Sequence, residues 1–131
     1  MKHHFGIRYE FDIPTIHKRI DEQVNSGLPA YICAPDGNVI NMVHHNEEYK
    51  KVVNGSMFSI CDSSWAPIFI KWVHGKRYRQ YCGSDIFFDI IGKRKYRMLF
   101  LGTNQRILDA LQANLAKDYP EVSEMTFMEL P

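Results

Sequence analysis

The chain has no cysteine pair at metal-binding spacing, no surplus of acid or base, no internal repeat and no apolar stretch long enough to span a bilayer. Each absence removes a class of function. The three cysteines, Cys33, Cys61 and Cys82, form an odd set without C-x-x-C spacing, and two lie inside apolar segments, as reduced buried thiols do. A disulfide framework is therefore excluded and a cytoplasmic chain expected. His44 and His45 are adjacent, and neighbours along a helix or strand do not face one point, so neither a metal nor another cofactor is expected. Sixteen Lys and Arg against fifteen Asp and Glu leave a net charge of +1, which gives no bulk attraction for nucleic acid. Residues 1–11 carry no apolar signal core. The most apolar stretch, residues 65–73, is far short of the ~20 residues of a spanning helix and contains Pro67 and Lys71. Contact with a membrane would be at its surface.

What is present is an ordinary globular composition, 45% hydrophobic and 24% charged over 131 residues, enough for a single domain over 1–131. Ile13, Ile16, Ile20 and Val24 recur at helical spacing, with Asp12 as cap, Pro14 in the first turn and Asn25-Ser26-Gly27 as the stop. Residues 30–34 (AYICA) and 57–61 (MFSIC) read as short buried strands, and residues 96–101 (YRMLFL) as the strongest one. Residues 5–11 suggest one or two short strands, and 122–127 one more. Helical spacing returns around Val39–Val43, Tyr49–Val53, Ile86–Ile91 and Ile107–Leu115. Trp65, Ile68, Phe69, Trp72 and Val73 recur at i, i+3, i+4, i+7 and i+8, the pattern of an apolar helix face. Alternating strands and helices predict an α/β fold with an open, mostly parallel sheet and helices on both faces.

In such sheets ligands bind beyond the carboxyl ends of the strands, near helix N-termini. Three small polar turns qualify. Asp62 with Ser63 follows one buried strand and is a candidate general base, although Asp and Ser at that junction also serve as ordinary helix caps. Asp36-Gly37-Asn38 is a common turn composition. Gly102-Thr103-Asn104 opens a helix whose amides could receive a phosphate, yet it lacks G-x-G-x-x-G and reads equally as a tight turn. Residues 75–81 (GKRYRQY) form a basic, aromatic-laced segment, by default a solvated loop and otherwise a receptor for phosphate or lipid head groups.

Taken in order, Ala34-Pro35-Asp36, the charged run Asn46-Glu47-Glu48-Tyr49, Asn54, Cys61-Asp62-Ser63, Gly83-Ser84-Asp85, Phe100-Leu101-Gly102-Thr103 and the Leu115 to Tyr119-Pro120 ending resemble the WecG/TagA/CpsF family of bacterial glycosyltransferases, from about Phe5 onward. The resemblance implies a Rossmann-like domain. It also implies an inverting enzyme that moves an N-acetylmannosamine-type sugar from a UDP donor to a polyprenyl-diphosphate-linked sugar at the inner face of the cell membrane. It puts the catalytic carboxylate on Asp62, the acceptor beside Asp36, Asn38, Ser63, Arg79, Gln80 and Asp85, and the donor beside Gly102, Thr103 and Asn104. Asp36 stands where the family has Asn, Ala34 where it has Thr, Ser63 where it has Gly, and Gln80 where it usually has Arg. Family members continue beyond the position of Pro131, so these residues are expected to form an N-terminal portion with weakened catalysis and a tendency to self-associate. The rival expectation is a non-catalytic α/β module that binds a nucleotide or another copy of itself.

Overall fold

The computed structural model describes residues 1–131 and divides into two compact units, Met1–Asp85 and Ile86–Pro131. Its secondary structure is mixed, with helices predominating and two small sheets.

The first unit opens with a hairpin, β1 (Lys2–His4) against β2 (Ile7–Tyr9), antiparallel. Its two-residue turn, Phe5 and Gly6, has both residues at positive φ (55° and 72°), which matches the right-handed twist of the paired strands. Asn54 pins the hairpin from outside: its side-chain amide donates to Gly6 O at 2.8 Å and its Oδ1 accepts from Arg8 N at 3.0 Å. Then come α1 (Ile13–Ser26), α2 (Gly37–His45), α3 (Glu47–Asn54) and α4 (Ala66–His74). α1 is capped as its sequence predicts, by Asp12 on Thr15 N at 3.0 Å, and stops at Gly27, whose φ of 68° suits a residue without Cβ. Ile7, Tyr9, Val43, Val53, Cys61 and Ala66 form one core cluster of this unit, and Ile16, Phe58, Ile60 and Ile70 are buried as well. Burial pushes the Cys61 thiol up to about 11, with the Asp62 charge adding to it, as expected of a structural thiol.

α5 (Gly83–Gly92) carries the chain into the second unit, where β3 (Leu99–Gly102), α6 (Gln105–Asp118) and β4 (Thr126–Glu129) form a β-α-β element. β3 and β4 are parallel, with Phe100 opposite Phe127 and their rings stacked at 4.4 Å. Ile91, Phe100, Leu115 and Val122 form the core there.

Several sequence expectations need correction. Residues 30–34 and 57–61 form no continuous strands; their pairing is reduced to isolated bridges at Cys33 and Ser59. The strand expected over 122–127 begins only at Thr126, because Pro120 starts a 3₁₀ turn, Pro120–Glu124, that takes up Val122. On α4 the sequence pattern left the direction of the apolar stripe open; Ala66 and Ile70 are buried, whereas Trp65, Ile68, Phe69, Trp72 and Val73 are exposed.

Candidate active site

The isolated bridges do more than their length suggests. Ser59 N donates to Arg8 O and Glu10 N to Ser59 O, both at 3.0 Å. On the other side Cys33 N donates to Phe58 O at 3.3 Å and Ile60 N to Cys33 O at 2.9 Å. Both bridges are parallel, so Tyr9, Ser59 and Cys33 stand level across three adjacent segments that run the same way. Three residues beyond each comes an aspartate: Asp12, Asp62 and Asp36. All three therefore emerge at the same edge of the ladder, the carboxyl end.

Their fates differ. Asp12 caps its own helix: its Oδ2 accepts from Thr15 N and, at 2.5 Å, from the Thr15 hydroxyl, and these bonds hold its carboxyl below the usual range. Asp36 caps α2, with Oδ1 accepting from Val39 N at 2.9 Å. Asp62 does not cap the helix that follows it. α4 has no side-chain cap, and only Ser63 Oγ approaches its first amides, at 3.3 Å from Trp65 N and 3.4 Å from Ala66 N. The cap reading fits Asp36 and fails for Asp62.

Asp62 is held instead from across the chain. Gly83 N, at the start of α5, donates to its Oδ1 at 2.7 Å, and the Gln80 side-chain amide donates to its backbone oxygen at 2.6 Å. Tyr81 N donates to Cys61 O at 2.9 Å between them. Residues 80–83 thus clasp the Asp62 loop. Tyr81 is buried, and its hydroxyl shares a hydrogen bond of 2.9 Å with His17 Nε2 of α1, which ties the clasp to the core. Asp85 Oδ2 accepts from Cys82 N at 3.1 Å and from Cys82 Sγ at 3.0 Å; those bonds, with Arg79 nearby, hold its carboxyl below the usual range.

Of the sequence-predicted site residues, Asp62, Ser63, Gln80 and Asp85 belong to this one constellation. Arg79 is exposed beside it, and Asn38 is exposed in the first turn of α2 after Asp36. Gly102, Thr103 and Asn104 lie in the second unit, where Gly102 O accepts from Leu130 N and Asn104 caps α6 through Ile107 N at 3.1 Å. Sequence reasoning missed Tyr81 and His17. Tyr81 sits in a segment read as a solvated loop, and nothing in its spacing betrays burial. Tyr78 of the same segment stacks on Phe11 at 3.9 Å, so only the cationic side chains there conform to that reading.

If Asp36 is chiefly a cap, Asp36→Ala should cost about 1 kcal/mol, the ordinary worth of a lost N-cap. Chemical denaturation followed by circular dichroism measures it; no loss would mean that α2 does not depend on this bond.

The model of the glycosyl transferase WecG/TagA/CpsF family matches residues 4–129. No curated protein matches the chain.

Proposed function

The chain belongs to the WecG/TagA/CpsF family and so to the glycosyltransferases of cell-envelope polysaccharide synthesis; from that premise we propose that it takes an N-acetylmannosamine-type sugar from a UDP donor and passes it, with inversion, to a polyprenyl-diphosphate-linked sugar. The observation that supports the reading is the position of Asp62: of three aspartates at one ladder edge, it alone is not spent on the helix that follows it.

In this proposal the Asp62 carboxylate takes the proton of the acceptor hydroxyl while that oxygen bonds to the anomeric carbon. The bond from the anomeric carbon to the donor diphosphate breaks on the opposite face, and UDP leaves with the electron pair. Gly83 N orients the carboxylate without consuming both oxygens. Asp36, Asn38, Ser63, Arg79, Gln80 and Asp85 border the acceptor sugar. Gly102, Thr103 and Asn104 serve the donor, where amide donors at the start of α6 meet the charge that grows on the diphosphate. The parallel bridging of three segments in the first unit and, separately, the parallel β3-α6-β4 element of the second are each of the kind that a Rossmann-like fold uses, and each supports that part of the reading.

The test is a transfer assay with UDP-N-acetylhexosamines and a short-chain polyprenyl diphosphate acceptor carrying N-acetylglucosamine, products read by mass spectrometry and anomeric configuration by NMR. A new disaccharide of inverted configuration is the expected product. UDP binding without transfer would favour the non-catalytic nucleotide-binding module, and neither binding nor transfer would overturn the transfer reading and favour a structural, self-associating role.

A further inference from the structure

The outward face of α4 is unusual for a helix so close to the core. Trp65, Phe69 and Trp72 stand on one stripe, 67%, 50% and 78% exposed, with Ile68 between them. Scattered single apolar residues on a surface need no explanation, but two tryptophans and a phenylalanine in register do.

Charge is distributed to match. From Ser63 to Ser84 there is no Asp or Glu, while Lys71, Lys76, Arg77 and Arg79 fall in the same stretch, in a chain whose net charge is only +1. At the C-terminal end of α4 a recess of about 390 Å³ is lined by Met1, Lys2, His3, His4, His74 and Lys76. It adjoins a smaller one that shares His4 and His74 and is otherwise lined by apolar residues including Phe69 and Val73, so the cationic recess continues into the apolar face. Burial first, and then the neighbouring His74 and Lys76, hold His4 below its ordinary value, consistent with positive potential there.

We propose that the α4 stripe and the cationic recess beside it form the surface by which this chain lies on an anionic lipid bilayer, with Trp65, Phe69 and Trp72 in the headgroup boundary and Lys2, Lys76 and Arg77 on lipid phosphates. Interfacial helices combine these features: an apolar face with aromatic residues, and a cationic rim without acids. A second copy is the poorer occupant, because a two-fold pairing would bring two acid-free, cationic rims together. The proposal deepens the transfer reading, since a prenyl-linked acceptor is presented at a membrane and Asp62 lies only a few residues before α4. It is measured by lipid binding and not by turnover, so each can fail without the other.

Both tryptophans of the chain lie on this face, so its intrinsic fluorescence reports the surface directly. With the full chain, vesicles of phosphatidylcholine and phosphatidylglycerol in equal parts should shift emission to the blue and carry the protein down on sedimentation. Vesicles of phosphatidylcholine alone should do so far less. Raising salt from 0.15 M to 1 M shortens the screening length from about 8 Å to about 3 Å and should release the protein. Lys76→Glu with Arg77→Glu should weaken binding at least tenfold, given roughly fivefold per basic residue near an anionic surface. Phe69→Ser with Val73→Ser keeps both tryptophans and should also abolish the shift, circular dichroism confirming the fold of each variant. Equal binding to both vesicle types, or none to either, overturns the proposal. A blue shift that grows with protein concentration in the absence of lipid overturns it in favour of a second copy.

Discussion

Asp62→Asn should lower sugar transfer by roughly 10²–10⁴-fold, the usual contribution of a positioned general base, while stability stays within about 0.5 kcal/mol. The substitution is chosen for what it keeps. Asparagine retains an Oδ1 that can accept from Gly83 N, so the clasp over residues 80–83 survives, and only the capacity to take a proton is removed. Asp62→Ala would lose both, and a comparison of the two variants separates proton transfer from positioning. Asp12→Asn is the control: it sits at the same ladder edge, keeps an N-cap of equal quality and should leave turnover unchanged. If Asp62→Asn turns over like the unsubstituted chain, Asp62 is a structural clasp and the proposed mechanism loses its base.

Phe58→Ala should cost about 3–5 kcal/mol, which is comparable with the whole stability of many domains of this size. Phe58 is fully buried, the Arg19 guanidinium lies 4.9 Å from its ring centroid, and Arg19 Nη2 donates to Met57 O at 3.2 Å. Truncation would leave a cavity under the central segment of the parallel ladder, whose backbone bonds to Cys33 and Arg8 align the edge that carries Asp12, Asp36 and Asp62. The contrast is Trp72→Ala. That side chain is larger, yet it is exposed, and its loss should change stability by no more than about 0.5 kcal/mol. Urea unfolding monitored by circular dichroism gives both values. A loss below about 1 kcal/mol for Phe58→Ala would show that the ladder does not depend on this packing.

The helices were the most legible part of the chain. α1 could be read from Asp12 to Gly27 because capping, apolar spacing and a left-handed stop are all local and agree with one another. The buried strands were legible as apolar runs but not as a sheet: residues 30–34 and 57–61 pair only through Cys33 and Ser59, since pairing depends on partners far away in the chain. The stripe on α4 was legible as a period, but which way it faces was not, because periodicity defines a face without saying what that face meets.

Local chemistry in the residue order thus settled where α1 begins and ends, and the ordered motifs pointed to the family. It also singled out Asp62, though it could not separate that aspartate from a cap. The three-dimensional packing made the separation, by standing Tyr9, Ser59 and Cys33 level so that three aspartates share an edge, and by bringing Gly83 to Asp62 from 21 residues away. Contacts of that span are chosen by the burial of whole elements against one another, and no window of neighbouring residues contains that information.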